Sequence, residues 1–427
     1  MSAPSYPGPE TIRRYILDNG ITVLLYENMS SNTVALSGVV RAGAVVEPAA
    51  QAGLADFTAD LLIRGSSRWT FEASAEALES VGAGIGFGGS RHTTGFSTHS
   101  LVEDLDLVLD IAADALLRPL FPADHVERVR GQTITGLQMR ANDTGDMARL
   151  AFYEAAYPGH PYSRSVNGYE ETVSGLGRDD LADFHARYYG PRDMIIGLAG
   201  AIRADEALAK LESAFGGWRN DAQEAVPLVG DAARPSGLTR RAVAMPDKHQ
   251  VDVVMGLPGP RRAAPDYLDA SLMNSILGVF GMMGRIGQNV REEQGLAYYA
   301  SSRLHGGLGP GPWVASAGVA PDKVEQAIES IRHEIRRIQD EPVPAEELAD
   351  SQAYRTGSLP MSLETNHGLV DVITDMELYN LGLDYLQTYT PRILAITADD
   401  VMAAARKYLS AADLVIAVAG PGVGARE

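Results

Sequence analysis

Asp56 and Asp60 stand four residues apart in the stretch GLADFTADLLIRG (residues 53–65), where apolar residues recur at helical spacing. Positions i and i+4 share one helical face, so the two carboxylates together offer oxygen ligands to a hard cation. The plainer reading is a pair of solvated like charges, which costs an isolated helix only about 0.2–0.5 kcal/mol. Zinc is a poorer match, because it favours imidazole and thiolate donors and the chain contains no Cys. His92 and His99, seven apart on an expected strand over residues 92–99, point to opposite faces. His125, His160, His185, His249, His305, His333 and His367 form no pair at metal-ligand spacing, so all nine His read as structural or surface residues. No G-x-S-x-G elbow marks a Ser nucleophile. Gly84, Gly86 and Gly89 spell G-x-G-x-x-G, but the run follows a helix and enters a strand, the reverse of a dinucleotide site. It reads as a flexible edge strand over residues 84–89. Arg291 and Tyr298 lie seven apart in REEQGLAY; taken alone, they mark a helix end broken at Gly295 and a strand with Tyr298 in the core.

These residues sit on a long chain whose composition narrows the function. A chain of 427 residues exceeds one core and implies two domains or more. Its net charge of −19 argues against nucleic acid, which needs a basic face. No apolar run approaches the roughly 18 residues needed to span a membrane. The opening MSAPSYPGPETIRRY lacks the basic and apolar regions of a secretory signal, and the absence of Cys fits a reducing compartment, so a cytoplasmic protein is expected.

The elements repeat. Residues 179–200 (DDLADFHARYYGPRDMIIGLAG) align without gaps to residues 399–420 (DDVMAAARKYLSAADLVIAVAG) at a constant offset of 220. Each copy predicts an Asp-capped helix, a turn and a buried strand closing on Gly. Such a long period implies two domains of one fold rather than a solenoid. Residues 219–238, rich in Asp, Ala, Gly and Pro, read as a linker, which gives domains at 1–218 and 239–427. Asp18-Asn19-Gly20 predicts a hairpin over residues 11–27, followed by a strand at 34–42. Helices are expected at 53–63, 71–81, 103–117 and 123–140, with Gly65 and Gly82 as C-terminal caps. The second half predicts strands at 238–245 and 250–256, a helix at 267–277 and strands flanking residues 305–312. Strand runs interleaved with helix pairs imply an α+β fold whose sheets are covered on one face.

The lead-in Gly-Leu-Ala and the closing Ile-Arg-Gly-Ser around residues 53–66 resemble the signature of the M16 peptidase family (pitrilysin-like, processing-peptidase-like). In that signature H-x-x-E-H places two zinc ligands and a general base on one helix. The positions that match hold Asp56, Ala59 and Asp60. The family's third ligand is a Glu roughly 76 residues further on; counting from Asp60 reaches Gly136. Residues 155–200 follow the family's pattern almost phrase by phrase, and the resemblance covers nearly the whole chain. It implies two homologous α/β-roll domains of the metallohydrolase type forming half of a clam shell. It also implies that an extended substrate adds to the edge strand at Gly84, Ile85, Gly86 and Phe87.

REEQGLAY resembles the family's second-domain motif, in which Arg and Tyr reach the zinc site of the facing domain and stabilise an oxyanion. The resemblance therefore implies the non-catalytic subunit of a two-chain M16B zinc peptidase. No metal or other cofactor is expected in this chain. Zinc would sit in a partner subunit carrying H-x-x-E-H, and Arg291 and Tyr298 would act there in trans on an extended peptide. Two other readings stay open: a structural or assembly protein of the core-subunit type, and a peptide-binding homodimer.

Overall fold

The computed structural model describes residues 6–424. The expected hairpin forms strands β1 (Ile12–Ile16) and β2 (Thr22–Glu27), with Ile16 opposite Thr22. Asn19 in the turn donates its side-chain amide to the carbonyls of Phe215 and Trp218, at 2.8 and 3.3 Å. Strand β3 (Thr33–Val40) follows. Strands β4 (Gly84–Gly89) and β5 (Thr94–Leu101) pair antiparallel, and β6 (Ile195–Gly200) completes a six-stranded sheet ordered β1-β2-β6-β3-β5-β4. His92 lies in the turn that precedes β5 rather than on the strand, so the opposite-face expectation for His92 and His99 does not apply. That turn closes on itself through Ser90 and Thr93.

The second half repeats this plan. Strands β7 (Thr239–Ala244), β8 (Val251–Pro258), β9 (Ala297–Leu304), β10 (Pro312–Val319) and β11 (Val415–Gly420) form a sheet ordered β7-β11-β8-β10-β9. Spatial order equates β2, β6, β3, β5 and β4 with β7, β11, β8, β10 and β9. The 220-residue offset holds for the helices Arg178–Tyr188 and Ala398–Tyr408 and for β6 and β11, to the residue.

Each sheet is covered on both faces, not on one as expected. In the first, Val23, Leu25, Val34, Leu36, Ile196 and Leu198 join Phe57, Leu109, Leu181, Phe184 and Phe215 in one core under the first half's own helices. The opposite face receives the helix Asn366–Leu378 from the second half of the chain. Gly197 has no Cβ because one would stand 2.4 Å from Thr374 Oγ1 and 2.8 Å from Val370 Cγ2. Asn366 anchors this helix by donating to the Thr33 carbonyl at 2.9 Å. In return, the helix Thr144–Ala156 packs on β8, β11 and β7, burying Ala148, Phe152 and Ala156. All eight residues of β8 are buried.

The two compact units are consequently not contiguous halves. The first comprises Met1–Leu137, Ser165–Pro227 and Pro360–Gln387; the second comprises Gln138–Arg164, Leu228–Leu359 and Thr388–Glu427. Residues 219–238 carry no helix or strand. Their start is nevertheless packed: Gln223 is buried and bonded to the backbone of Tyr188 and Arg192.

Filling the Gly197 gap tests the exchanged helix. Gly197→Val forces the Asn366–Leu378 helix off β6, so we expect a loss of about 1–3 kcal/mol, read as a lower thermal midpoint in scanning calorimetry.

Candidate functional site

The helix carrying the candidate carboxylates runs Leu54–Leu61 and continues as a tighter turn, Leu62–Arg64. Its N-terminus is held from two sides. The buried Glu47 accepts from the Gly53 and Ala55 amides, at 3.1 and 2.5 Å, placing an anion where the helix dipole favours one. Gly53 has φ +98°, and a Cβ there would stand 2.9 Å from the Cα of Gly168, so only glycine permits this approach. The adjacent Asn167 donates to Asp56 Oδ2 at 2.6 Å. Phe57 and Leu61 face the core, whereas Asp56 is half-buried and Asp60 exposed.

Burial raises the pKa of Asp56 above the ordinary carboxylate value, partly opposed by bonds from Asn167 and the Gly89 amide. Asp60 is pushed up to about 6, first by loss of hydration and then by the neighbouring Asp56 charge, with Arg64 pulling the other way. The pair is therefore an under-compensated negative patch. It does not reproduce a zinc site: Ala59 has no donor atom, and Gly136 is an exposed glycine on the helix Ala123–Ala141. Among the described residues no group of three His, Cys, Asp or Glu stands where it would hold a metal ion.

The edge strand β4 meets this helix at its end. A Cβ on Gly89 would lie 2.4 Å from the Cα of Asp56, so strand and helix touch backbone to backbone. Along β4, Ile85 packs beside Leu78, Val108 and Ile111, and Phe87 stacks on Phe96 with ring centroids 6.2 Å apart. Gly86 and Gly88 are exposed between them. Among the described residues β4 pairs only with β5, so its other edge is the sheet's end. The four residues Gly84, Ile85, Gly86 and Phe87 thus lie on a strand with one unpaired main-chain edge among the described residues.

In the second unit, Arg291 lies in a π-helical turn, Gln288–Glu293, and Tyr298 on the edge strand β9. The core reading of Tyr298 is overturned, since 83% of the residue is exposed. The cause is a β-bulge: Gly318 pairs with Tyr299 and Val319 with Ala297, which leaves Tyr298 as the extra residue and re-aims its side chain. The π turn is pinned from behind. Asn289 donates to Glu334 Oε1 at 2.5 Å, and Glu334 is 2% exposed. Gln294 then bonds Asn289 and Ser330, the latter at 2.9 Å. Gly295, at φ +60°, ends the turn and its amide bonds the Arg291 carbonyl at 3.1 Å. The Arg291 side chain makes only a loose 3.4 Å contact with Glu292, one-third exposed. Sequence reasoning missed Asn289 and Glu334, because 45 residues separate them and no local pattern links them.

Each α+β domain thus presents a distinct edge: β4 beside the helix carrying Asp56 and Asp60 in the first, and β9 with the exposed Tyr298 in the second. Comparison with known proteins assigns the family. Residues 22–169 match the model described as Insulinase (Peptidase family M16), and residues 175–354 match Peptidase M16 inactive domain. An uncharacterized zinc protease of Mycobacterium leprae is 26% identical over 397 residues, 93% of this chain and 89% of that one. A crystal structure of a peptidase M16 inactive domain from Pseudomonas fluorescens superposes with a TM-score of 0.90 at 26% identity, covering 97% of this chain and 100% of that one. A protease structure from Helicobacter pylori gives 0.91 at 18% identity, with coverage of 97% and 100%. The chain belongs to the M16 peptidase family. No helix among the described residues is long and apolar enough to cross a membrane.

The shifted carboxylate sets a pH dependence. Because the folded pKa of Asp60 exceeds the unfolded 3.8, the native state holds the extra proton between these values. The stabilising contribution is full below about pH 4 and is lost as pH rises through about 6. Asp60→Asn should match the wild type in thermal midpoint at pH 4 and exceed it at pH 7.5, as measured by circular dichroism melts.

Proposed function

We propose that this chain is the non-catalytic subunit of a two-subunit M16 zinc peptidase. In this reading a partner carries H-x-x-E-H, the Glu ligand and the zinc, and the metal supplies Lewis-acid polarisation and an activated water. This chain contributes Arg291 and Tyr298 to the partner's site. The guanidinium and phenol would donate hydrogen bonds to the scissile carbonyl oxygen as it gains negative charge, an interaction stronger in the transition state than in the ground state. The main-chain edge at Gly84, Ile85, Gly86 and Phe87 would hold an extended peptide by strand addition.

The observation that carries the reading is the exposure of Tyr298. A large aromatic held outward by a bulge, seven residues after an Arg on a π turn braced by a buried carboxylate, suits a partner outside its own core. The absence of the family's His and Glu at Asp56, Ala59, Asp60 and Gly136 supports the division of labour, with Arg291 and Tyr298 matching the second-domain motif. The second-half match to an inactive-type domain is consistent with it.

The test is reconstitution with a zinc-replete M16 subunit from the same genome, followed with a quenched fluorescent peptide. Either subunit alone should be inactive and the mixture active. Arg291→Ala or Tyr298→Phe should lower kcat of the mixture by about 10²–10³, with association unchanged by light scattering. Full activity of both variants would overturn the in-trans role, and turnover by this chain alone would overturn the division of labour.

A further inference from the structure

The helix Thr144–Ala156 covers only part of the second sheet, spanning β8, β11 and β7, and leaves β10 and β9 open on the same face. The result is a cleft of ≈ 540 Å³ with the helix as one wall and the outer two strands as its floor. Strand register fixes what lines it. Ser301 lies opposite Ser316, and Arg303 opposite Val314, so the alternate residues Tyr299, Ser301 and Arg303 share the open face. The helix adds Arg149 and Tyr153.

The residues lining this cleft include two Arg and no Asp or Glu, with Asp143, Asp146 and Asp252 standing beside it. Asp252, which bonds Tyr299 beneath the floor, is 3% exposed and its oxygens are already engaged. It accepts from Tyr299 at 2.5 Å, from Gln250 at 3.2 Å to each oxygen, and from Thr144. A Cβ on Gly145 would lie 3.8 Å from its carboxyl carbon, so the helix terminus itself closes over it. Arg149 is paired with Asp146 on its outer side at 2.6 Å, and both groups remain exposed. The exposed side chain of Arg303 has no ion-pair or hydrogen-bond partner among the described residues, and neither do the hydroxyls of Ser301 and Ser316. Two guanidinium groups and two free hydroxyls converge on one concave surface of a protein with net charge −19.

We propose that this cleft is a carboxylate-binding subsite for peptides, with Arg303 and Arg149 as the charged donors and Ser301 and Ser316 as the neutral ones. A guanidinium fork matches a carboxylate in two parallel hydrogen bonds. The apolar sides of Tyr153 and Tyr299 suit the residue that carries it. The carboxylate is a chain terminus or an acidic side chain. The inference rests on the reading of this chain as peptide-binding, but its test needs neither the partner subunit nor hydrolysis.

Calorimetric titration of the isolated chain distinguishes the possibilities with three probes: acetyl-Ala-Ala-Phe-Ala-Ala with a free C-terminus, the same peptide amidated, and an amidated peptide with Glu in the penultimate place. We expect the free acid, the Glu peptide or both to bind at least tenfold more tightly than the plain amide, and the stronger of the two identifies the source. The preference should shrink with added salt and vanish in Arg149→Gln/Arg303→Gln, two exposed changes that leave the core intact. Equal affinity for all three peptides, no binding by any, or a preference that survives the double substitution overturns the proposal. Loss of the preference here leaves the in-trans role of Arg291 and Tyr298 untouched, and failure of that role leaves this affinity difference standing.

Discussion

A β-sheet with apolar residues on both faces must be covered twice, and this requirement organises the whole chain. Strand β8 is buried along its length, as are β6 and β11. One layer of helices covers one side of each sheet, and the other side would expose the backbone and side chains of the central strands. Each half of the chain answers by lending one helix to the other's sheet. The two loaned helices, Thr144–Ala156 and Asn366–Leu378, have equal lengths, and each is capped at its N-terminus by a polar side chain, Asp143 and Thr365. The reciprocal loan explains why the units are interleaved rather than sequential, and it leaves the open strip beside the Thr144–Ala156 helix in which a ligand can sit.

Within this shared frame the two edge strands have diverged. Strands β4 and β9 occupy equivalent ends of their sheets. The first is glycine at four of its six positions and touches the helix carrying Asp56 backbone to backbone. The second carries a bulge and thrusts out an aromatic ring. One fold thus exposes main chain at the edge of one domain and an aromatic side chain at the edge of the other. The helix that carries Asp56, Ala59 and Asp60 is firmly seated: Glu47 caps it and the Gly53–Gly168 contact fixes its start.

Much of this was legible from residues alone, where the signal is local. The Asp18-Asn19-Gly20 turn, the glycine strand at 84–89 and the 220-residue repeat all fall where the pattern placed them, since turn chemistry and periodicity act over a few residues. The α+β class and the family followed from the repeat and from the frame around Asp56. What escaped is non-local. An amphipathic helix has the same pattern whichever sheet it covers, so the loan of Asn366–Leu378 left no mark in the sequence. The bulge at Tyr298 arises from a mismatch in residue count against β10, which its own strand cannot reveal. The bracing of Asn289 by Glu334 joins residues far apart in the chain.

The loaned helices also impose an order in time. As the chain leaves the ribosome, the first sheet is complete in strands once β6 has emerged, yet its second cover begins only at Asn366. Between those moments roughly 165 residues must be synthesised, about 10–30 s at 5–20 residues per second. Through that interval the first sheet keeps one apolar face wet. The nascent first half is therefore a natural client for chaperones, and a message truncated before the helix Asn366–Leu378 would release a product with that face still uncovered.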